Sequence, residues 1–136
     1  MNKSKIIIGT WNLSGDFGEV KLSEIEKVFQ VCYDYGFKTF DTAPVYGDGF
    51  MEFCIGKIFN DKNDININSK FGNLPFLGKN FSIKSLKQSI DQTLIRLNRD
   101  NINVLFLHNP RSEIKSYEEI INFMAKLKDE GKILKL

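Results

Sequence analysis

Short runs of apolar, β-branched residues alternate along this chain with longer stretches in which apolar residues recur every three or four positions. KIIIGTW (5–11) is the first short run and predicts a strand. A glycine-containing loop leads into SEIEKVFQVCYDYG, where Ile25, Val28, Phe29, Cys32 and Tyr35 recur at helical spacing as far as Gly36. Ser23 and Glu26 stand in the relation of a capping box, so this helix is expected to start at Ser23 and to bury one face. FKTFD (37–41) reads as a second strand, and MEFCIGKIFN (51–60) as a helix of weaker pattern interrupted by Gly56. DININSK (64–70) alternates strictly and predicts a third strand. SIKSLKQSIDQTLIRLN (82–98) places Leu86, Ile90, Leu94 and Leu97 on one helical face. INVLFLH (102–108) is almost continuously apolar, as a strand covered on both sides requires. SYEEIINFMAKLKDEG (116–131) opens on a second capping box (Ser116, Glu119), turns Tyr117, Ile120, Ile121, Met124 and Leu127 inward, and closes at Gly131. KILKL (132–136) begins a fifth strand.

The order is βαβαβαβαβ, with strands starting roughly 25 to 40 residues apart, and it predicts a parallel α/β fold in one domain spanning 1–136. Two architectures satisfy it: a doubly wound open sheet, or the first part of a (β/α)8 TIM barrel. A dinucleotide-binding open sheet carries GxGxxG after its first strand, whereas the loop here reads GTWNLSGDFG with its glycines differently spaced. A barrel uses about 250 residues and eight units. This chain has 136 residues, four units and the start of a fifth strand, so the barrel reading makes it a truncated barrel.

Composition narrows the function classes. The chain is 42% hydrophobic and 26% charged with a net charge of +2 and interspersed signs, which offers no patch for nucleic acid or an anionic membrane. The three isoleucines near the N-terminus are too few for a signal-peptide core or a membrane span. Cys32 and Cys54 lie in predicted helices without CxxC or Cys/His spacing, so they read as buried thiols of a reducing, cytoplasmic compartment, and no metal site is expected.

The chemically capable side chains fall at equivalent places. Asp41 ends the second strand and Tyr46 follows on its loop; Lys70 ends the third strand; His108, the only histidine, ends the fourth. Barrel enzymes build their sites on that face. Each residue alone has a structural explanation: Asp41 as a turn-former bonding backbone amides, Lys70 as a solvated strand exit, Tyr46 as a packed loop aromatic, His108 as a satisfied structural imidazole. Together they match one task, proton donation to a carbonyl by a phenol. A free phenol, with a pKa of ~10, is a weak acid for this purpose unless a nearby ammonium stabilises its anion. A carboxylate holds that ammonium in place, and a histidine from the neighbouring strand orients the carbonyl. None of these groups is a hydride source, so reduction requires a nicotinamide cofactor. Trp11, the loop FGNLPFLGKN (71–80) and Asn109 are candidates for the pocket mouth, with loop packing as the alternative for Phe71 and Phe76.

DTAPVYGDGFMEFCIG, together with NSKFG, LHNP and the opening GTW, resembles the aldo-keto reductase superfamily over essentially the whole chain. The resemblance implies a (β/α)8 barrel that reduces aldehydes and ketones with NADPH, or less often NADH, without a Rossmann fold. It implies that Tyr46 is the general acid, that Lys70 and Asp41 tune it, and that His108 positions the substrate. Asp41 would also face the nicotinamide ribose, and Thr10 and Trp11 would lie by the cofactor and the substrate pocket; Trp11, Tyr46, His108 and Asn109 would contact substrate. Asn103 departs from the family, which often has aspartate there. The family's Ser-Asn element of strand 5 and its cofactor-phosphate loops would lie beyond Leu136. The expectation is therefore the N-terminal part of an NADPH-dependent carbonyl reductase, which lacks most of the cofactor site and self-associates through open sheet edges. A non-catalytic cofactor-sensing or regulatory protein on this scaffold, and an inactive remnant, are the alternatives.

Overall fold

A computed structural model describes residues 5–110, 114 and 117–136. Five parallel strands form one sheet in the order β1-β2-β3-β6-β7: β1 (Ile8–Gly9), β2 (Thr39–Asp41), β3 (Asn66–Phe71), β6 (Ile102–Leu107) and β7 (Ile133–Lys135). Helices α1 (Leu22–Asp34), α2 (Phe50–Ile58), α3 (Ile83–Leu97) and α4 (Tyr117–Asp129) connect them. Each main-sheet strand lies beside its predecessor in that sheet, and α1 packs on α2, α2 on α3 and α3 on α4. Strand order never reverses, which is how a barrel is wound and how a doubly wound sheet is not.

The core lies between sheet and helices. Phe40 of β2 meets Phe29 of α1 at 5.3 Å and Phe59, just past α2, at 4.9 Å, ring centroid to centroid. Ile25, Ile55, Leu86, Ile90, Ile120 and Leu127 complete the helix side of this layer. Neighbours in register share a face, so Phe106, paired with Lys70, lies on the opposite, concave face, where it is 43% exposed.

Several local expectations change. α1 starts at Leu22 with Lys21 as its N-cap, and Glu24 accepts the Lys21 backbone N–H at 3.0 Å; Ser23 and Glu26 are interior helical positions. The earlier start lets Leu22 join the face that packs on the core. That face is narrower than the periodicity suggests: Ile25 and Phe29 are buried, Cys32 is half-buried, and Val28 and Tyr35 are exposed. Ile121 of α4 likewise faces outward, because Ile120, Met124 and Leu127 already fill the contact. Ser116, the proposed cap of α4, lies outside the described residues. The stretch expected to be loop contains a small antiparallel hairpin, β4 (Asn73–Leu74) with β5 (Gly78–Lys79).

Gly56 does not interrupt α2. A Cβ there would lie 2.5 Å from the Arg96 carbonyl oxygen and 2.7 Å from the Leu97 carbonyl, so glycine is what allows α2 to approach the end of α3. No helix among the described residues is long and apolar enough to cross a membrane.

Candidate active site

The carboxyl ends of β1, β2, β3 and β6 bring the predicted residues to one side of the sheet. Asp41 is the last residue of β2, Lys70 the penultimate residue of β3, and His108 directly follows β6. His108 is held there by its backbone N–H, which donates to the Phe71 carbonyl at 2.8 Å. Tyr46 sits in a tight loop, its N–H donating to the Ala43 carbonyl at 3.0 Å, while its own carbonyl accepts from Met51 at the start of α2. Gly47, with φ +57°, packs so closely that a Cβ would meet the Ser14 carbonyl oxygen at 2.6 Å. The Tyr46 loop is thereby pressed against the β1–α1 loop.

Lys70 Nζ donates to the Asp41 carboxylate and, at 2.9 Å, to the Thr42 carbonyl oxygen. Its ammonium is 4.9 Å from the centre of the Tyr46 ring. The His108 ring stands edge-on to Tyr46 with centroids 6.0 Å apart. The four residues thus form one connected group rather than four isolated strand ends. Burial, and then the positive charge of Lys70, push the His108 imidazole below its ordinary range, with Lys79 acting the same way and Asp41 opposing. His108 Nδ1 is buried without a hydrogen-bond partner among the described residues.

A cavity of about 510 Å³ opens onto this group. Trp11 and Tyr46 make an aromatic wall, stacked with centroids 6.1 Å apart. Val45 and Leu107 add apolar surface, and Asp16, Asn73 and Asn109 supply a polar border. Trp11 lies in a short 3-10 turn (Trp11–Leu13) rather than in the predicted strand. Thr10 is fully buried, and its hydroxyl donates to the Asp41 carbonyl at 3.0 Å. It holds the end of β2 from behind and presents no polar atom to the cavity. Asn103 Nδ2 donates to Asn68 Oδ1 at 2.8 Å, linking β3 to β6.

Sequence patterns alone do not single out Asp16 as a lining residue, because its loop carries no periodic signal, whereas Asn73 belongs to the loop 71–80 expected at the pocket mouth. Glu52 was visible only as part of the motif. It is fully buried on α2, accepting from Ser69 Oγ at 2.7 Å, Thr93 Oγ1 at 3.0 Å and Arg96 Nε at 2.8 Å.

A parallel sheet wound in one direction, with its polar residues gathered at the strand ends, defines a barrel-type α/β protein. The Aldo/keto reductase family profile matches residues 5–136, and the chain belongs to that family. Among curated relatives, an Arabidopsis thaliana protein designated voltage-gated potassium channel subunit beta is 30% identical over 94% of this chain and 40% of its own length. The L-galactose dehydrogenase of Arabidopsis thaliana is 29% identical over 95% of this chain and 42% of its own length. A Pseudomonas aeruginosa protein assigned to the aldo-keto reductases superposes with a TM-score of 0.81 at 26% identity, over 93% of this chain and 51% of that one. The holo form of an aldo-keto reductase from Bacillus halodurans shares the fold with a TM-score of 0.85 at 24% identity, over 95% of this chain and 43% of that one. The chain spans about two fifths of the length of the curated relatives it matches.

Proposed function

We propose that this chain carries the proton-handling part of an NADPH-dependent carbonyl reductase site, with Tyr46 as general acid. The observation that supports this most directly is the Lys70 ammonium, fixed by Asp41 and the Thr42 carbonyl and set 4.9 Å from the Tyr46 ring. As the substrate carbonyl becomes an alkoxide, the phenol gives up its proton, and the fixed ammonium stabilises the charge left on the phenolic oxygen. Pairing with Asp41 keeps the lysine charged and stops it from swinging away. His108, uncharged near neutrality, donates a hydrogen bond that orients the carbonyl.

The residues present fit the nicotinamide end of a dinucleotide. The Asp41 side chain remains 24% exposed beside its ion pair, leaving acceptor capacity for a ribose hydroxyl, and Trp11 stays half exposed between Tyr46 and Phe17. Nicotinamide would supply the hydride. Thr10 acts from behind by fixing Asp41. NADPH is preferred here over NADH on the family resemblance alone.

The test is made on the longest chain that the reading frame encodes. Tyr46→Phe lowers carbonyl-dependent NADPH oxidation by roughly 10²–10⁴-fold while leaving NADPH affinity, measured by fluorescence titration, unchanged. Loss of both in this variant would overturn the role given to Tyr46. A second reading, a cofactor-sensing regulatory subunit, draws on the 30% identity to a potassium-channel beta subunit. NADPH binding without turnover of any carbonyl in a broad panel would favour it. Ile7, Phe106 and Leu134 are exposed, and β1 and β7 are the sheet's edges, which supports self-association. Sedimentation that stays monomeric at all concentrations would exclude this.

A further inference from the structure

We propose that Asp16 is a specificity-determining residue that makes this cavity select hydroxylated carbonyl compounds over plain ones. The proposal rests on the reading that carbonyl chemistry takes place at Tyr46, and it concerns what else the substrate must carry.

Asp16 lies in the loop after β1 and lines the same cavity as Tyr46, Lys70 and His108. Its position is fixed. Trp11 Nε1 donates to Oδ2 at 2.6 Å, and the Asp16 backbone N–H reaches Ser14 Oγ, a buried hydroxyl, at 3.4 Å. Asp16 forms no ion pair among the described residues, so charge neutralisation does not explain its place. A carboxylate has about four acceptor positions on its two oxygens. Trp11 occupies one of them, which leaves acceptor capacity on a side chain that lines the cavity.

The surroundings match the same kind of ligand. Asn73 and Asn109 also border the cavity, and a side-chain amide both donates and accepts. Asn109 is tethered through its backbone, since Lys79 Nζ donates to its carbonyl oxygen at 3.0 Å, which leaves the amide outside that bond. Trp11, 49% exposed although Phe17 stands edge-on to it at 4.9 Å, keeps ring surface on which the C–H groups of a polyhydroxylated chain can pack. Acceptor, amides and aromatic face together are complementary to several hydroxyl groups on a short carbon skeleton. An unsubstituted aldehyde entering the same space would strip water from the Asp16 carboxylate and return no hydrogen bond. A site built around a substrate hydroxyl discriminates in this way against the analogue that lacks it.

Trp11 is the only tryptophan of the chain, and its indole bonds directly to Asp16, so its fluorescence reports on this cavity without any cofactor. The probes are glyceraldehyde and propanal, which share a three-carbon aldehyde skeleton and differ in hydroxyl groups. We expect saturable quenching, with half-saturation by glyceraldehyde at a concentration roughly tenfold below that of propanal. Asp16→Ala should remove that preference, and Asp16→Asn, which keeps an acceptor for Trp11, should retain part of it. Since substitution of Asp16 changes the reporter's surroundings, the same ratio is read independently from NADPH-oxidation kcat/KM for the two aldehydes. Thermal midpoints of the variants should match the parent, because the Asp16 side chain is exposed. Equal responses to both aldehydes, no saturable response, or a preference unaltered in Asp16→Ala would overturn the proposal. If fluorescence shows the preference while neither aldehyde is reduced, the reductase reading fails and hydroxyl recognition by Asp16 stands.

Discussion

Ser69 Oγ donates to Glu52 Oε1 at 2.7 Å, in a cluster where the Glu52 side chain is wholly inaccessible to solvent. Ser69 directly precedes Lys70, and Glu52 lies on the helix that follows the Tyr46 loop. This bond therefore ties the strand carrying the ammonium to the element carrying the phenol. Arg96, from α3, closes the cluster with an ion pair to Glu52 at 2.7 Å.

Glu52→Ala should be the most damaging polar substitution in this group. It leaves Arg96, whose side chain is 25% exposed, and two buried hydroxyls without their common acceptor. Breaking a buried pair from one side costs about 3 kcal/mol, and the partial exposure of Arg96 keeps the value at the lower end. Glu52→Gln, which preserves shape and one acceptor, should lose less. Urea unfolding of the two variants checks the order.

Gly56→Ala tests the helix contact. The new methyl would point into the backbone carbonyls of Arg96 and Leu97, which have no rotamer through which to give way. We expect a loss of about 2 kcal/mol or more and a lower thermal midpoint, although alanine is the better helix former. An unchanged midpoint would mean that α2 and α3 separate at no cost.

His108 gives stability a pH dependence of defined sign. Burial first, and Lys70 second, lower its pKa from the ordinary 6.5. As pH falls below that value, the unfolded chain takes up a proton sooner than the folded one. The contribution is thus fully present above pH 6.5 and is lost as pH falls through the folded-state value. His108→Gln should flatten this part of the stability profile on the acid side of neutrality. The imidazole of this single histidine, followed by proton NMR, should titrate below 6.5 in the folded chain.

The two thiols should differ in reactivity. Burial pushes Cys54 up to about 11, whereas half-buried Cys32 is raised by burial less far. A thiol reagent at about pH 8 should label Cys32 first and reach Cys54 only as fast as the structure opens, because the thiolate is the reactive form. Cys54 labelling at the rate of a free thiol would contradict its burial.

Much of the architecture was legible in the residues because period-two and period-3.6 patterns record which side of an element meets the core. Ile25 and Phe29, and Leu86 and Ile90, packed as their spacing implied, whereas the run 102–107, expected to be covered on both sides, leaves Phe106 exposed. Val28, Tyr35 and Ile121 did not, since periodicity marks an apolar stripe whereas its buried width depends on the neighbouring helix. The start of α1 shifted for a related reason: a capping pattern is local, and Leu22 gained a packing partner that the pattern cannot show.

Local residue patterns account for the alternation of strands and helices and for the placing of Asp41, Lys70 and His108 at successive strand ends, because strand ends are local features. That the strands wind in one direction, that Lys70 bridges Asp41 and the Thr42 carbonyl beside Tyr46, and that Asp16 joins them are properties of the folded chain. Those relationships come from parallel pairing and from helices approaching to backbone distance at Gly56. Both bring together residues that are far apart in the chain, where no periodicity connects them.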